Sequence, residues 1–114
     1  MHELSVTESI LEIALRHADE KQAIKITSIH LVIGDLASIV DDSVNFYWDI
    51  ISQGTIAEGA QLIFDRRHAR VLCQNCELEY EFAGDDIACP RCASCTFQII
   101  SGNEFYLSAI DIEV

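Results

Sequence analysis

Four cysteines stand in two matched pairs, Cys73-Gln74-Asn75-Cys76 and Cys89-Pro90-Arg91-Cys92, with twelve residues between the pairs. Two residues between cysteines let both thiolates of a tight turn face one metal ion. Two such turns supply the corners of a tetrahedron, which is the arrangement zinc takes. A closed set of four sulfurs leaves no position for water, so the pattern predicts a structural ion rather than a hydrolytic one. The segment around the pairs is too short to bury much apolar surface, and a bound ion would stand in for the missing core. Iron in a rubredoxin-like knuckle is the other reading of Cys-Pro-Arg-Cys. A thioredoxin-like redox pair fits less well, because neither pair opens a long helix. Cys95, the fifth cysteine, reads as a small buried residue at the edge of this segment rather than as a competing ligand or free thiol.

The chain has 114 residues, enough for one domain, or one domain with a small insert. Half of the residues are apolar, which is a globular composition. No apolar run approaches the roughly 20 residues that span a bilayer, and Glu3, Glu8 and Glu12 interrupt any signal-peptide pattern. The expectation is a cytoplasmic protein without a membrane role, whose thiols stay reduced and free to ligate metal. A formal net charge of −12 repels phosphate backbones and argues against a nucleic-acid partner.

Residues Leu4 to Glu20 read as an amphipathic helix with Val6, Ile10, Ile13 and His17 on one side and a capping box from Ser5 to Glu8. Lys25 to Ile33 reads as a strand with Ile29, Leu31 and Ile33 on one face. Asp41, Asp42 and Ser43 are candidate caps of a second helix through Ser52, burying Val44, Tyr47, Trp48 and Ile51 and closing at Gly54. Gln61 to Leu72 reads as one strand running into Cys73. Leu78, Tyr80 and Phe82 alternate with acidic residues as a short half-exposed strand, and Gly84-Asp85-Asp86 turns the chain back. Phe97 to Ile100 and Glu104 to Val114 complete the strands, around a turn at Ser101-Gly102-Asn103. The fold class is α+β: a small mixed sheet with two helices, plus an inserted zinc-ribbon-like four-cysteine module. Residues 1–71 and 101–114 would form the base domain and 72–100 the insert. No pair of carboxylates is arranged for acid–base catalysis, and the chain does not read as an enzyme.

The first three residues, Met1-His2-Glu3, can chelate. The α-amine, the intervening amide nitrogen and the His2 imidazole can hold one ion in a near-planar set, which suits Ni(II) or Cu(II) better than zinc. Glu3 could add a carboxylate oxygen. The same residues also fit an ordinary frayed terminus. His17, on the apolar side of the first helix, reads as a core or boundary residue, His30 as strand-surface and Trp48 as core. Arg66, Arg67 and Arg70 form a basic cluster near the insert.

Taken together, the opening Met1-His2-Glu3-Leu4-Ser5, the stretch Gly54-Thr55-Ile56-Ala57-Glu58-Gly59-Ala60, both cysteine pairs and the closing Ile110-Asp111-Ile112-Glu113-Val114 resemble the HypA/HybF family over nearly the whole chain. These are nickel metallochaperones of [NiFe]-hydrogenase maturation. The resemblance implies delivery of Ni(II) to the hydrogenase large-subunit precursor, together with a nickel-handling GTPase and, in some bacteria, urease maturation proteins. It implies nickel binding at His2 with Met1 and Glu3 assisting, structural zinc at Cys73, Cys76, Cys89 and Cys92, and a monomer or homodimer. One departure is local: family members often carry Gly-Ser after the second pair, where this chain has Ala93-Ser94-Cys95. The competing function is a zinc-ribbon protein–protein adaptor that transports no metal.

Overall fold

In the computed structural model, residues 3–81 and 87–114 are described. They contain two helices and six strands: α1 (Glu3–Glu20), β1 (Lys25–Gly34), α2 (Asp41–Ile51), β2 (Gln61–Arg67), β3 (Arg70–Cys73), β4 (Glu79–Glu81), β5 (Phe97–Ser101) and β6 (Phe105–Glu113). The strands form two three-stranded sheets, ordered β2-β1-β6 and β4-β3-β5. The chain divides into two compact units, one of Met1–Val32, Ser38–Asp65 and Tyr106–Val114, the other of Ile33–Ala37 and Arg66–Phe105. Gly84-Asp85-Asp86, read as a turn, and Phe82, read as strand, lie outside the described residues.

The first unit is built by burial. α1 turns Thr7, Ile10, Ala14 and Ala18 inward, a stripe at the i, i+3, i+4 spacing that places side chains on one helical face. His17 is exposed, contrary to expectation: about 60° from Ala14 and about 100° from Ala18 around the helix, it lies at the outer edge of the buried stripe. α1 also begins earlier than the capping box implied. Ser5 is inside the helix, where its carbonyl accepts the Ser9 hydroxyl, and Glu3 likewise accepts the Thr7 hydroxyl. α2 buries Val44 and Trp48, and its cap position is Val40, whose carbonyl accepts the amides of Ser43 and Val44. The acidic residues expected to cap it instead occupy its first turn, where carboxylates favour the positive end of the helix dipole.

β1 is the middle strand and is buried on both faces: Ile26, Ser28, Ile29, Leu31, Val32 and Ile33 are all inside. The Ile24 amide donates to the Glu113 carbonyl at 2.8 Å and the Ser108 hydroxyl to the His30 carbonyl at 3.2 Å, so β6 runs antiparallel to β1. On the other edge the Ile26 amide meets the Ile56 carbonyl at 2.9 Å and the Asp35 amide the Arg67 carbonyl at 2.8 Å, an ascending register that makes β2 parallel. The sheet is therefore mixed, as expected.

The second unit has a far smaller core: Val71, Cys73, Tyr80 and Cys89, with Cys76, Leu78, Cys92 and Phe97 packed around it. Gln61–Leu72 is not one strand. It breaks at His68-Ala69 into β2 and β3, which belong to different sheets. The break coincides with a close backbone stack. A Cβ on Gly34 would fall 2.0 Å from the Gly102 carbonyl oxygen, and one on Gly102 would fall 2.6 Å from the Ala69 Cα. Gly102 also takes a φ of 124°, open only to glycine. His68 Nδ1 lies 3.0 Å from Asp35 Oδ2 beside this stack.

Candidate metal centre

β3 ends at Cys73 and pairs antiparallel with both β4 and β5, with Val71 opposite Tyr80 and Cys73 opposite Phe97. The period-2 alternation of a strand turns Val71 and Cys73 to the buried side together. The sheet thus fixes the first cysteine, and the turn after it supplies the second.

The two cysteine turns are the same structure used twice. In the first, the Cys73 carbonyl accepts the Glu77 amide at 2.9 Å and the Cys73 amide donates to the Leu78 carbonyl at 2.8 Å. In the second, the Cys89 carbonyl accepts the Ala93 amide at 2.8 Å and the Cys89 amide donates to the Ser94 carbonyl at 2.9 Å. Each turn closes through a left-handed residue directly after its second cysteine, Glu77 at φ 64° and Ala93 at φ 62°. That geometry gives the physical reason why glycine suits the position: a Cβ there costs about 1–2 kcal/mol.

The four sulfurs converge. All lie within 4.8 Å of one another, with Cys73 and Cys92 Sγ at 3.5 Å and Cys76 and Cys89 Sγ at 3.6 Å. A zinc–sulfur bond of about 2.3 Å gives a tetrahedral edge of roughly 3.8 Å, close to the two short sulfur–sulfur distances, so the set is able to hold one tetrahedral ion. Cys73 and Cys89 are buried, Cys76 and Cys92 half-buried.

Two residues between the cysteines, Asn75 and Arg91, were not singled out in the sequence, and both prepare the thiolates. The Asn75 side chain, then the Ser94 backbone amide, stabilise the Cys92 thiolate and bring its pKa down to about 6. The Leu78 backbone amide and the Arg91 side chain lower that of Cys76. At Cys73 the Cys76 amide also favours the thiolate, but burial and the neighbouring thiols outweigh it and the value rises. Arg91 donates to the Cys76 carbonyl and brings a positive charge beside a set of four sulfurs. Their only sequence signal is their place between paired cysteines, which faces them toward the other turn. Cys95 is exposed, not buried: it follows the left-handed turn and stands outside the sulfur cluster.

Arg70 of the basic cluster is an ion-pair partner, at 3.0 Å from Glu81 and 4.0 Å from Glu79. Trp48 is core, as read. His30 is held on the sheet surface by Asp111, 2.8 Å away, and Asp111 also accepts the Ser28 hydroxyl. Of the residues expected to hold nickel, Met1 and His2 lie outside the described residues, and Glu3 is the first residue of α1.

A two-helix α+β unit, joined in one chain to a four-sulfur site able to hold a metal ion, defines a small metal-handling protein. Comparison with known sequences narrows the class. The family model described as "Hydrogenase/urease nickel incorporation, metallochaperone, hypA" matches residues 1–112. A hydrogenase maturation factor HypA of Dehalococcoides mccartyi is 41% identical over 113 residues, covering 99% of this chain and 95% of that protein. A hydrogenase maturation factor HybF of Salmonella typhimurium is 33% identical, covering 99% and 100%. The solution structure of the nickel metallochaperone HypA from Helicobacter pylori has the same fold, with a TM-score of 0.67 at 23% identity over 99% of this chain and 98% of that one. The chain belongs to the HypA family of nickel metallochaperones, which act in hydrogenase and urease nickel incorporation. Neither described helix is long and apolar enough to cross a membrane.

Proposed function

We propose that this protein is a cytoplasmic, non-enzymatic carrier that delivers Ni(II) to the hydrogenase large-subunit precursor in concert with a nickel-handling GTPase. The observation that carries the reading is the family match over residues 1–112, which takes in both the Met1-His2-Glu3 opening and the two cysteine pairs. In this reading the base domain, residues 1–71 and 101–114, carries the nickel, and the insert, residues 72–100, carries zinc.

Cys73, Cys76, Cys89 and Cys92 would hold zinc, and four thiolates leave no coordination position for cargo. Nickel needs other donors. His2 supplies an imidazole and its backbone amide nitrogen, Met1 its α-amine, and Glu3 a carboxylate. Nitrogen donors in one plane suit Ni(II). A site of this kind at the end of a chain stays open to a receiving protein, and affinity in the micromolar range, about 8 kcal/mol, lets the ion leave.

Nickel titration by calorimetry tests the assignment. His2→Ala should abolish the exchangeable nickel site while zinc content stays unchanged. One extra residue ahead of Met1 should weaken nickel at least tenfold by displacing the amine. Unchanged nickel affinity in His2→Ala refutes the ligand assignment. A protein that takes up no nickel at all while keeping zinc is the adaptor instead.

A further inference from the structure

α2 has two faces of opposite character. Val44 and Trp48 go inward, and Trp48 is only 2% exposed. The outward face carries Asp42, Asn45, Phe46, Asp49 and Ile50, all exposed. Phe46 and Ile50 are one helical turn apart and keep 62% and 52% of their surface in water. The Phe46 ring meets Tyr47 edge-on, with centroids 5.4 Å apart at 73°, so one side of it already has an aromatic partner. An aromatic side chain has few rotatable bonds and loses little freedom when it is covered.

The charge that α2 itself carries has one sign. α2 contains Asp41, Asp42 and Asp49 and no lysine, arginine or histidine. The whole chain carries −12. A second copy laid face to face would set Asp42 and Asp49 against their own kind, and an anionic lipid surface meets the same repulsion. The complement is a helix with apolar residues at i, i+4 and lysine or arginine beside them.

We propose that the outward face of α2 is a docking surface for a basic amphipathic helix of a partner protein. Phe46 and Ile50 anchor its apolar side, and Asp42 and Asp49 pair with its cations. The carboxylates steer and orient the encounter, while the apolar pair sets how long it lasts.

The test uses the full-length zinc-loaded protein and a fluorescein-labelled 18-residue leucine–lysine helical peptide, with the leucine–glutamate counterpart as control. Anisotropy titration should show saturable binding of the lysine peptide only, and nitrogen-15 NMR should show shifts confined to residues 42–53. The Phe46→Ser/Ile50→Ser double variant should bind at least tenfold more weakly, with Trp48 fluorescence unchanged. Asp42→Asn/Asp49→Asn should bind several-fold more weakly and with a flatter salt dependence. Glu8→Gln/Glu12→Gln, which removes the same charge from exposed sites on α1, should change affinity less than twofold. The proposal is overturned by absent binding, by equal binding of the glutamate peptide, or by an equal loss in the α1 variant. It is also overturned by NMR shifts scattered over the acidic surface. A dimer that Phe46→Ser/Ile50→Ser converts to monomer in sedimentation would assign the face to a second copy and overturn it as well. Should the apolar variant lose its fold, the charge variants and the NMR map still decide.

Discussion

The two units of this protein solve the problem of staying folded in opposite ways. The first buries a continuous set of side chains, among them Ile10, Ile26, Ile29, Leu31, Val44 and Trp48. The cluster around the metal site in the second has four buried residues, and two of those are cysteines of the sulfur set. Where burial suffices, cysteine is unnecessary: all five cysteines lie in the second unit. The difference teaches that a metal site can be architecture, in which case its removal should be felt as unfolding and not as lost chemistry.

The largest expected effect breaks one side of that comparison only. Cys76→Ser, or a strong chelator, should remove zinc and unfold residues 66–105, because structural zinc contributes on the order of 10–16 kcal/mol of apparent folding energy in such modules. Fluorescence of Trp48, buried in the first unit, should stay blue-shifted throughout. Simultaneous loss of the Trp48 signal would show that the first unit is not self-supporting.

The converse perturbation is Ile29→Ala, at a fully buried position of β1. It should cost about 2–5 kcal/mol in urea unfolding followed by Trp48, while zinc content is unchanged. Loss of zinc in that variant would couple the two units.

A smaller change sharpens the account of the second unit. Ala93 holds a left-handed conformation at φ 62°. Ala93→Gly should relieve strain and stabilise the zinc-loaded unit by about 1 kcal/mol, read as slower zinc loss to a competing chelator. Faster loss would mean that the turn gains more from a restricted unfolded chain than it suffers in strain.

The smallest effect lies at the surface of the first unit. The Ser28 hydroxyl, then His30, hold the Asp111 carboxyl below its ordinary pKa. A depressed carboxylate adds stability that is present above its unfolded value, near 4, and is lost as pH falls through the folded value. Asp111→Asn should therefore lower the melting temperature slightly at pH 7 and flatten its fall between pH 5 and 3. Identical pH profiles for variant and wild type would remove Asp111 as the titrating group.

How much of this was legible in the sequence follows from how local each signal is. The cysteine spacing announces its own geometry, and the four sulfurs meet as it requires. α1, β1 and α2 were readable because their apolar periodicity is strong. The break between β2 and β3 was not, because it coincides with Gly102 packing on Ala69 from more than thirty residues along the chain. Nothing between Asp65 and Val71 marks a turn: there is no glycine and no proline. His17 shares its side of α1 with buried Ile10, about 20° away, and at the edge of a stripe periodicity does not separate a covered side chain from an exposed one. Cys95 is exposed although cysteine usually is not, and residue type alone gave no sign of it. Phe46 and Ile50 fall outside the buried phase of α2, and their exposure is a property of the fold that hydropathy alone would have hidden.

Native mass spectrometry of untagged protein supplied with both ions tests the division of metals most directly. The account predicts one zinc resistant to mild chelation and one exchangeable nickel, with His2→Ala losing only nickel and Cys76→Ser losing zinc. Nickel that survives in His2→Ala but disappears in Cys76→Ser would contradict it, because the cysteine cluster would then be holding the cargo.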